Sequence, residues 1–402
     1  MPSNPLIIWP ADDDSYLGSP TSWGSSDVTG TSKPASDWIF QLCDRLGNPI
    51  SNITKSARDR SFQVRLNGLT TVTMRLISDD PAVNGIHTDG YPVLDSGRRT
   101  IKAYRLQEQN DGSMSRTLRF FGPIWEIQDT GQADNAFTAI VAYDPMVYLG
   151  SRYTANIRQF LNVDAGVIAQ TLINETNAIF PTGVTVNSVQ PSQNRSMQYQ
   201  YKVISEAINE LANTFNGFDW RLTPTDTEDG NYGYIDIVNR VGSNRPEVIF
   251  GWGVAPHNVQ QMERKTGMSL VASDLTTIGG ANQAGDQIVS TASNPATRGD
   301  FGRIEFVNAG YGDITDAGFL AALTADEINF RTVQREIVQF LPTPGSSPHF
   351  WDDFDVGDLV QVLASEKLRG GFLGLQRIVG VDMSLDDIGR EVCMGIYLLK
   401  DS

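Results

Sequence analysis

The chain has 402 residues, 40% of them hydrophobic and 19% charged, which is enough for a real core and for roughly two to four compact units. Thirty-one Lys and Arg against 47 Asp and Glu leave a net charge of -16, which argues against a protein that grips nucleic acid by its phosphates. Such an excess suits plain colloidal solubility, or a passage that DNA crosses without sticking.

Residues 1–35 are rich in Ser, Gly, Thr, Pro and Asp and read as an extended N-terminal arm that orders against a neighbour. No basic region precedes its short apolar stretch, and Asp12, Asp13 and Asp14 follow at once, so a secretory signal is not expected. From Trp38 the pattern turns to period two. Trp38, Phe40 and Leu42 alternate with Ile39, Gln41 and Cys43. Phe62, Val64 and Leu66 follow, then Val72, Met74 and Leu76. Such alternation predicts strands with one buried face, and Asn67-Gly68 between the last two runs predicts a hairpin turn. Further strands are expected at Thr100 to Leu106, Thr117 to Phe121, Ile124 to Ile127 and Ala136 to Tyr143, with Gly122-Pro123 as punctuation. Residues 36–150 thus read as a first β-barrel domain.

Residues 151–240 read as a small α+β domain. Asp164 is placed to cap a helix carrying Ala165, Ile168, Ala169, Leu172, Ile173 and Ile179. Ser205 is expected to cap a second, with Ile204, Ala207, Ile208, Leu211, Ala212 and Phe215 in one stripe and Asn216-Gly217 as its stop. Strands are expected at Val184 to Val189, Phe218 to Leu222 and Tyr234 to Val238, the last two separated by a polar loop, Thr225 to Gly233. Residues 241–345 read as a second, loop-rich and strand-poor β domain, with a mobile loop from Asn282 to Thr297, a short helix from Asp316 to Leu323 and a strand from Thr332 to Phe340. Residues 346–402 carry too few strands to stand alone and are expected to complete a barrel begun elsewhere.

Chemistry is sparse. Cys43 and Cys393 give no disulfide framework and no metal spacing, and both read as buried free thiols. The three histidines, His87, His257 and His349, lie in loops without a second ligand at metal spacing. Phosphate-loop, zinc-protease and serine-hydrolase motifs are absent. Asp226 to Asn231 has the look of a Ca²⁺ loop but lacks the later bidentate Glu, so a polar turn is the simpler reading. Asp352, Asp353 and Asp355 are the residues a glycan hydrolase would use, and Trp125, Trp220, Trp252 and Trp351 those a sugar-binding face would use. For both groups, turn formation and core packing are the plainer alternatives. No catalytic residue, cofactor or metal is assigned. No apolar run approaches the roughly 20 residues of a membrane helix, so a soluble protein made and folded in a cytoplasm is expected.

The order of these pieces resembles the tail-hub (baseplate hub, minor tail protein) family of tailed bacteriophages, especially siphophages of actinobacterial hosts. The likeness runs through WIFQLCDRLGNPI from Trp38, RSFQVRLN from Arg60 and VTMRLISDD ending at Asp80. It continues with RFFGPIWEI from Arg119, AYDPMVYLGSR from Ala142, SEAINELANTFNGFDW from Ser205, and VGDLV from Val356. A VD-x-x-x-DD-x-G-x-E pattern from Val381 to Glu391 closes it. The resemblance implies a mainly β fold with an α+β insert: tandem β-barrels (tube-like domains) with smaller inserted domains. It implies a homotrimeric ring at the virion tail tip, without enzyme activity and without cofactors. The implied partners are the distal tail protein or tail tube, the tape-measure protein and tip or fibre proteins, with transient passage of DNA and no specific DNA binding. Peptidase or lysozyme modules fused to some relatives have no counterpart before Ser402. The rival reading is a receptor- or glycan-binding virion protein in contact with the host cell envelope; a cell-wall hydrolase is a third.

Overall fold

The computed structural model describes residues 37–108, 113–132, 135–213, 217–268, 271–281, 284–312, 314–332, 335–367, 370–386 and 388–400. The N-terminal arm, Asp12 to Asp14 included, lies outside them. The chain divides into two compact units, Val271–Val333 and a larger one built from Pro34–Leu270 and Gln334–Ser402.

In the larger unit the period-two segments form strands as expected: β1 (Asp37–Cys43), followed by a short β2 (Pro49–Asn52) that was not expected, then β3 (Ala57–Arg65), β4 (Thr71–Ile77), β5 (Thr100–Glu108), β6 (Met114–Gln132) and β7 (Asn135–Tyr143). Trp38, Phe40, Leu42, Phe62, Val72, Met74 and Leu76 all face the core. Each such side chain contributes roughly 1.5–3 kcal/mol when it leaves water. Asn67, with a φ of 53°, makes the turn between β3 and β4.

The two strands read on either side of Gly122-Pro123 are one. Up to Pro123, β6 pairs with β5, and from Ile124 it pairs with β7. The change of partner falls where Pro has no N–H for a ladder. Only a residue without Cβ fits beside it, since a Cβ on Gly122 would stand 2.0 Å from the Tyr143 carbonyl oxygen.

Residues beyond Tyr143 build a second layer with its own core. A 3₁₀ turn (Pro145–Ser151) leads to β8 (Arg158–Asp164), α1 (Ala165–Ile179), β9 (Val184–Val189), β10 (Asn194–Tyr199), α2 (Ile204–Ala212), β11 (Asp219–Pro224) and β12 (Gly233–Val238). β12 pairs antiparallel with β11 and parallel with β9, while β8 and β10 form a separate pair. Asp164 caps α1 through bonds from the N–H groups of Gly166 and Val167. The cap of α2 is Val203, not Ser205, and its side chain makes no capping bond. The reason is local: the Ile204 N–H is satisfied by the Arg152 carbonyl at 2.9 Å, so no side-chain acceptor is needed there. Phe215 and Asn216 lie outside the described residues.

The larger unit continues with β13 (Asn244–Trp252) and β14 (Val259–Gly267). The smaller unit follows: β15 (Asp274–Ala281), β16 (Gln287–Ser293), α3 (Pro295–Phe301), β17 (Glu305–Tyr311) and α4 (Ala317–Phe330). β15 lies between β16 and β17, and α4 packs its Leu320 and Leu323 with Ile288 and Ile314. The larger unit then resumes with β18 (Arg335–Pro342), β19 (Leu359–Ala364), β20 (Phe372–Leu385) and β21 (Glu391–Lys400).

The expectation of a strand-poor stretch from 241 to 345 is therefore overturned, and so is the loop from Asn282 to Thr297. That segment holds β16 and the start of α3. β16 reads QIVSTAS and has no strong alternation of its own; it is a strand because β15 supplies the ladder. α4 also runs past Leu323, because polar Thr324 is buried against the Thr277 hydroxyl.

One sheet holds both ends of the larger unit together, in the order β14-β18-β21-β20-β3-β4-β7-β6-β5-β1-β2, with β19 on β20 and β13 on β19. The last strands thus attach to the first half: β20 pairs with β3 from Arg65↔Gly380 to Arg60↔Leu385. A single apolar cluster runs from Trp38 to Leu398.

Candidate functional site

The most concentrated charge chemistry lies along β5. Its sequence, with the residue preceding it, places Arg99, Lys102 and Arg105 within an otherwise apolar strand, and all three are at most 2% exposed. A buried cation is tolerated only when paired. Each here receives acids from a different distant segment.

Arg99 forms a two-pronged bond with Asp89 at 2.7 and 3.0 Å and also donates to the carbonyls of Pro92 and Val93. The Arg99 guanidinium holds the Asp89 carboxyl well below the usual carboxylate range. Lys102 donates to Asp226 Oδ1 at 3.0 Å and to the Thr227 carbonyl at 2.8 Å. Tyr104 adds a bond to the same Asp226 oxygen at 2.8 Å. Partial burial pushes the Asp226 carboxyl up, but the bonds from Lys102 and Tyr104 outweigh it and hold it below its ordinary value. Arg105 lies between two carboxylates: Asp352 at 2.9 Å through both terminal nitrogens, and Glu391 at 2.7 Å. Trp38 Nε1 donates to the same Glu391 at 3.1 Å, and Gln107 to Asp352 at 2.6 Å.

β5 is thus a rail onto which three acidic loops are keyed: the 87–92 turn, the 225–233 loop of the α+β layer, and the 349–355 loop with the start of β21. A second key ties the β3–β4 turn to β11. Asn67 donates to Asp219 at 3.0 Å and accepts from the Trp220 N–H at 2.7 Å, while Arg377 pairs with the other Asp219 oxygen.

The sequence-derived candidates take structural places. Asp352 is held by Arg105. Asp353 accepts from the His349 N–H at 2.7 Å. Asp355 pairs with Arg221 at 2.8 Å. The three carboxylates therefore serve three different partners, which is unlike the facing pair of a glycosidase. The Asp226 loop has Lys102 as its cation, and among the described residues no cluster of His, Cys, Asp and Glu suits a metal ion. His87 lies 3.3 Å from Asp89, and His257 occupies a turn with φ of 60°.

None of the four tryptophans is an exposed platform. Trp220 is buried and the others are half-buried. Trp351 stacks on Phe350 at 4.4 Å and leans on Trp38 at 5.5 Å, so it belongs to the core. Among the described residues, none of these four side chains is fully exposed. The sequence reading missed the β5 rail. Its signal was present: three cations at intervals of three within the segment from Arg99 to Arg105, where apolar neighbours predict burial.

No family model matches the chain, and no curated protein matches it by sequence. Solved structures do match in fold. A tail protein from Neisseria meningitidis MC58 superposes with a TM-score of 0.55 at 12% identity, over 91% of this chain and 97% of that one. The prophage tail protein gp18 from Listeria monocytogenes EGD-e gives 0.55 at 11%, over 91% and 94%. The 43 kDa tail protein of prophage MuSo2 from Shewanella oneidensis gives 0.52 at 15%, over 90% and 97%. The chain is mainly β, and its fold is that of phage tail proteins.

Proposed function

We propose that the chain is a structural hub of a phage tail, not an enzyme. Three copies form a ring at the tail tip that closes the tail tube, anchors tip or fibre proteins and the end of the tape-measure protein, and lets DNA pass on ejection. The observation that carries this reading is the end-to-end match, over 90% or more of this chain and of its counterparts, to proteins described as tail proteins. The β5 rail supports it, because a ring subunit under load needs its loops fixed to one rigid strand. The acidic composition is compatible with a lumen that does not hold DNA. The narrower placement, a siphophage of an actinobacterial host, rests on the sequence resemblance alone.

Light scattering of the purified chain across a concentration series, with negative-stain images of the largest species, tests this directly. A threefold ring with a central hole is the expected result. A chain that stays monomeric both alone and when mixed with isolated tail tubes would refute it.

A further inference from the structure

β3 and β4 set two arginines opposite one another in the ladder. Arg58 and Arg75 are partners across the ladder, and the register shifts between Arg58 and Ser61, where Asp59 adopts a φ of 47°. Like charges directly opposite one another in a sheet repel. One of the two is neutralised, since Arg75 pairs with Asp59 at 2.8 Å. Among the described residues Arg58 donates only to uncharged groups, the carbonyls of Lys55 at 2.7 Å and Ala57 at 3.0 Å. Both arginines, with Asp59, Ile77 and Phe137, line a cleft of about 310 Å³, and the Arg75 guanidinium stands 4.4 Å over the Phe137 ring. In a chain of net charge -16 this is a locally cationic cleft with an apolar wall.

We propose that this cleft docks an acidic extended segment of a partner protein, with one carboxylate on the Arg58–Arg75 pair and a neighbouring apolar side chain on Ile77 and Phe137. Charge complementarity selects the occupant. A guanidinium fork matches a carboxylate, and a second anion offsets the repulsion between the two arginines. Two cations and one anion leave a single net positive charge, which suits one carboxylate. The proposal stands apart from the ring, since it concerns one face of one copy.

Fluorescence anisotropy with the full chain at low salt tests it, using three labelled probes: a peptide alternating aspartate and leucine, its asparagine counterpart, and an oligothymidylate of equal length. The aspartate peptide should bind, and the asparagine peptide should bind about tenfold more weakly or worse. Arg58→Ala and Arg75→Ala should each cost the aspartate peptide about tenfold in affinity, while Arg98→Ala, an exposed arginine elsewhere, should leave it unchanged. Arg58→Gln, which keeps donors for the Lys55 and Ala57 carbonyls, repeats the test without loss of fold and should melt no lower than the parent. Equal binding of the two peptides, an equal loss in Arg98→Ala, or preference for the oligothymidylate would overturn the proposal.

Discussion

Asp144 is buried at the end of β7, where backbone donors and the Thr70 side chain hold it. Its oxygens accept from the N–H groups of Thr70 at 2.6 Å and Met146 at 3.0 Å. Burial pushes its carboxyl up to about 7, and those two bonds only partly offset the push. A carboxyl raised in the folded state binds a proton that the unfolded chain releases, so its contribution to stability is full below about pH 4 and is lost as pH rises through about 7. Asp144→Asn removes this dependence. We expect the variant to melt below the parent at pH 5, by the ~1–3 kcal/mol of a mismatched buried bond, and the gap to shrink by pH 8. A gap constant across paired melts would count against the assignment. The thiols give a second test at this scale. Cys43 is buried as expected and Cys393 is only half-buried, yet burial pushes both thiols up to about 12. Neither should react with a thiol reagent at pH 8 in the folded protein, and both should react in denaturant.

At the scale of elements, the β5 rail predicts a strongly unequal response to substitution. Arg105→Ala would leave Asp352 and Glu391 facing each other without their cation, at a cost of roughly 3–5 kcal/mol in urea unfolding. Gln107→Ala, which removes one neutral donor from Asp352, should cost nearer ~1–2 kcal/mol. Similar values for the two would remove the distinction between keyed cation and accessory donor. Some elements were legible in the sequence and others not, for physical reasons. β1 and β4 bury one face and wet the other, so Trp38-Phe40-Leu42 and Val72-Met74-Leu76 write the strand directly. β13 and β14 read NRPEVIFGW and VQQMERKTG, with Pro and charges inside, and are strands because their neighbours complete the ladder. The α2 stripe was readable from Ile204 to Ala212, but its cap was not, since the acceptor is a carbonyl more than fifty residues away at Arg152. The carboxylates at Asp352, Asp353 and Asp355 were visible as a cluster, yet their separate partners are set by tertiary structure alone.

For the whole molecule, the compact inserted unit is Val271–Val333, narrower than the domain read from 241 to 345, because β13, β14 and β18 belong to the large sheet. β14 and β18 pair directly up to Gly267↔Arg335, so the chain leaves and re-enters that sheet at adjacent positions. Replacing residues 268–334 by a four-residue Gly-Ser turn should therefore leave the rest folded, with strand-type circular dichroism retained and a cooperative melt. Aggregation of the shortened chain would show that the insert is needed for folding. The pairing of β3 with β20 carries a consequence for synthesis. Gly380 is made more than three hundred residues after its partner Arg65. Until then one edge of β3 stays open, and the core from Trp38 to Leu398 cannot close. Contacts this distant in sequence slow folding and leave a bare edge for neighbouring nascent chains. Products truncated before β20 should accordingly collect as insoluble material, which makes the β3–β20 pairing a check on whether a chain has closed its core.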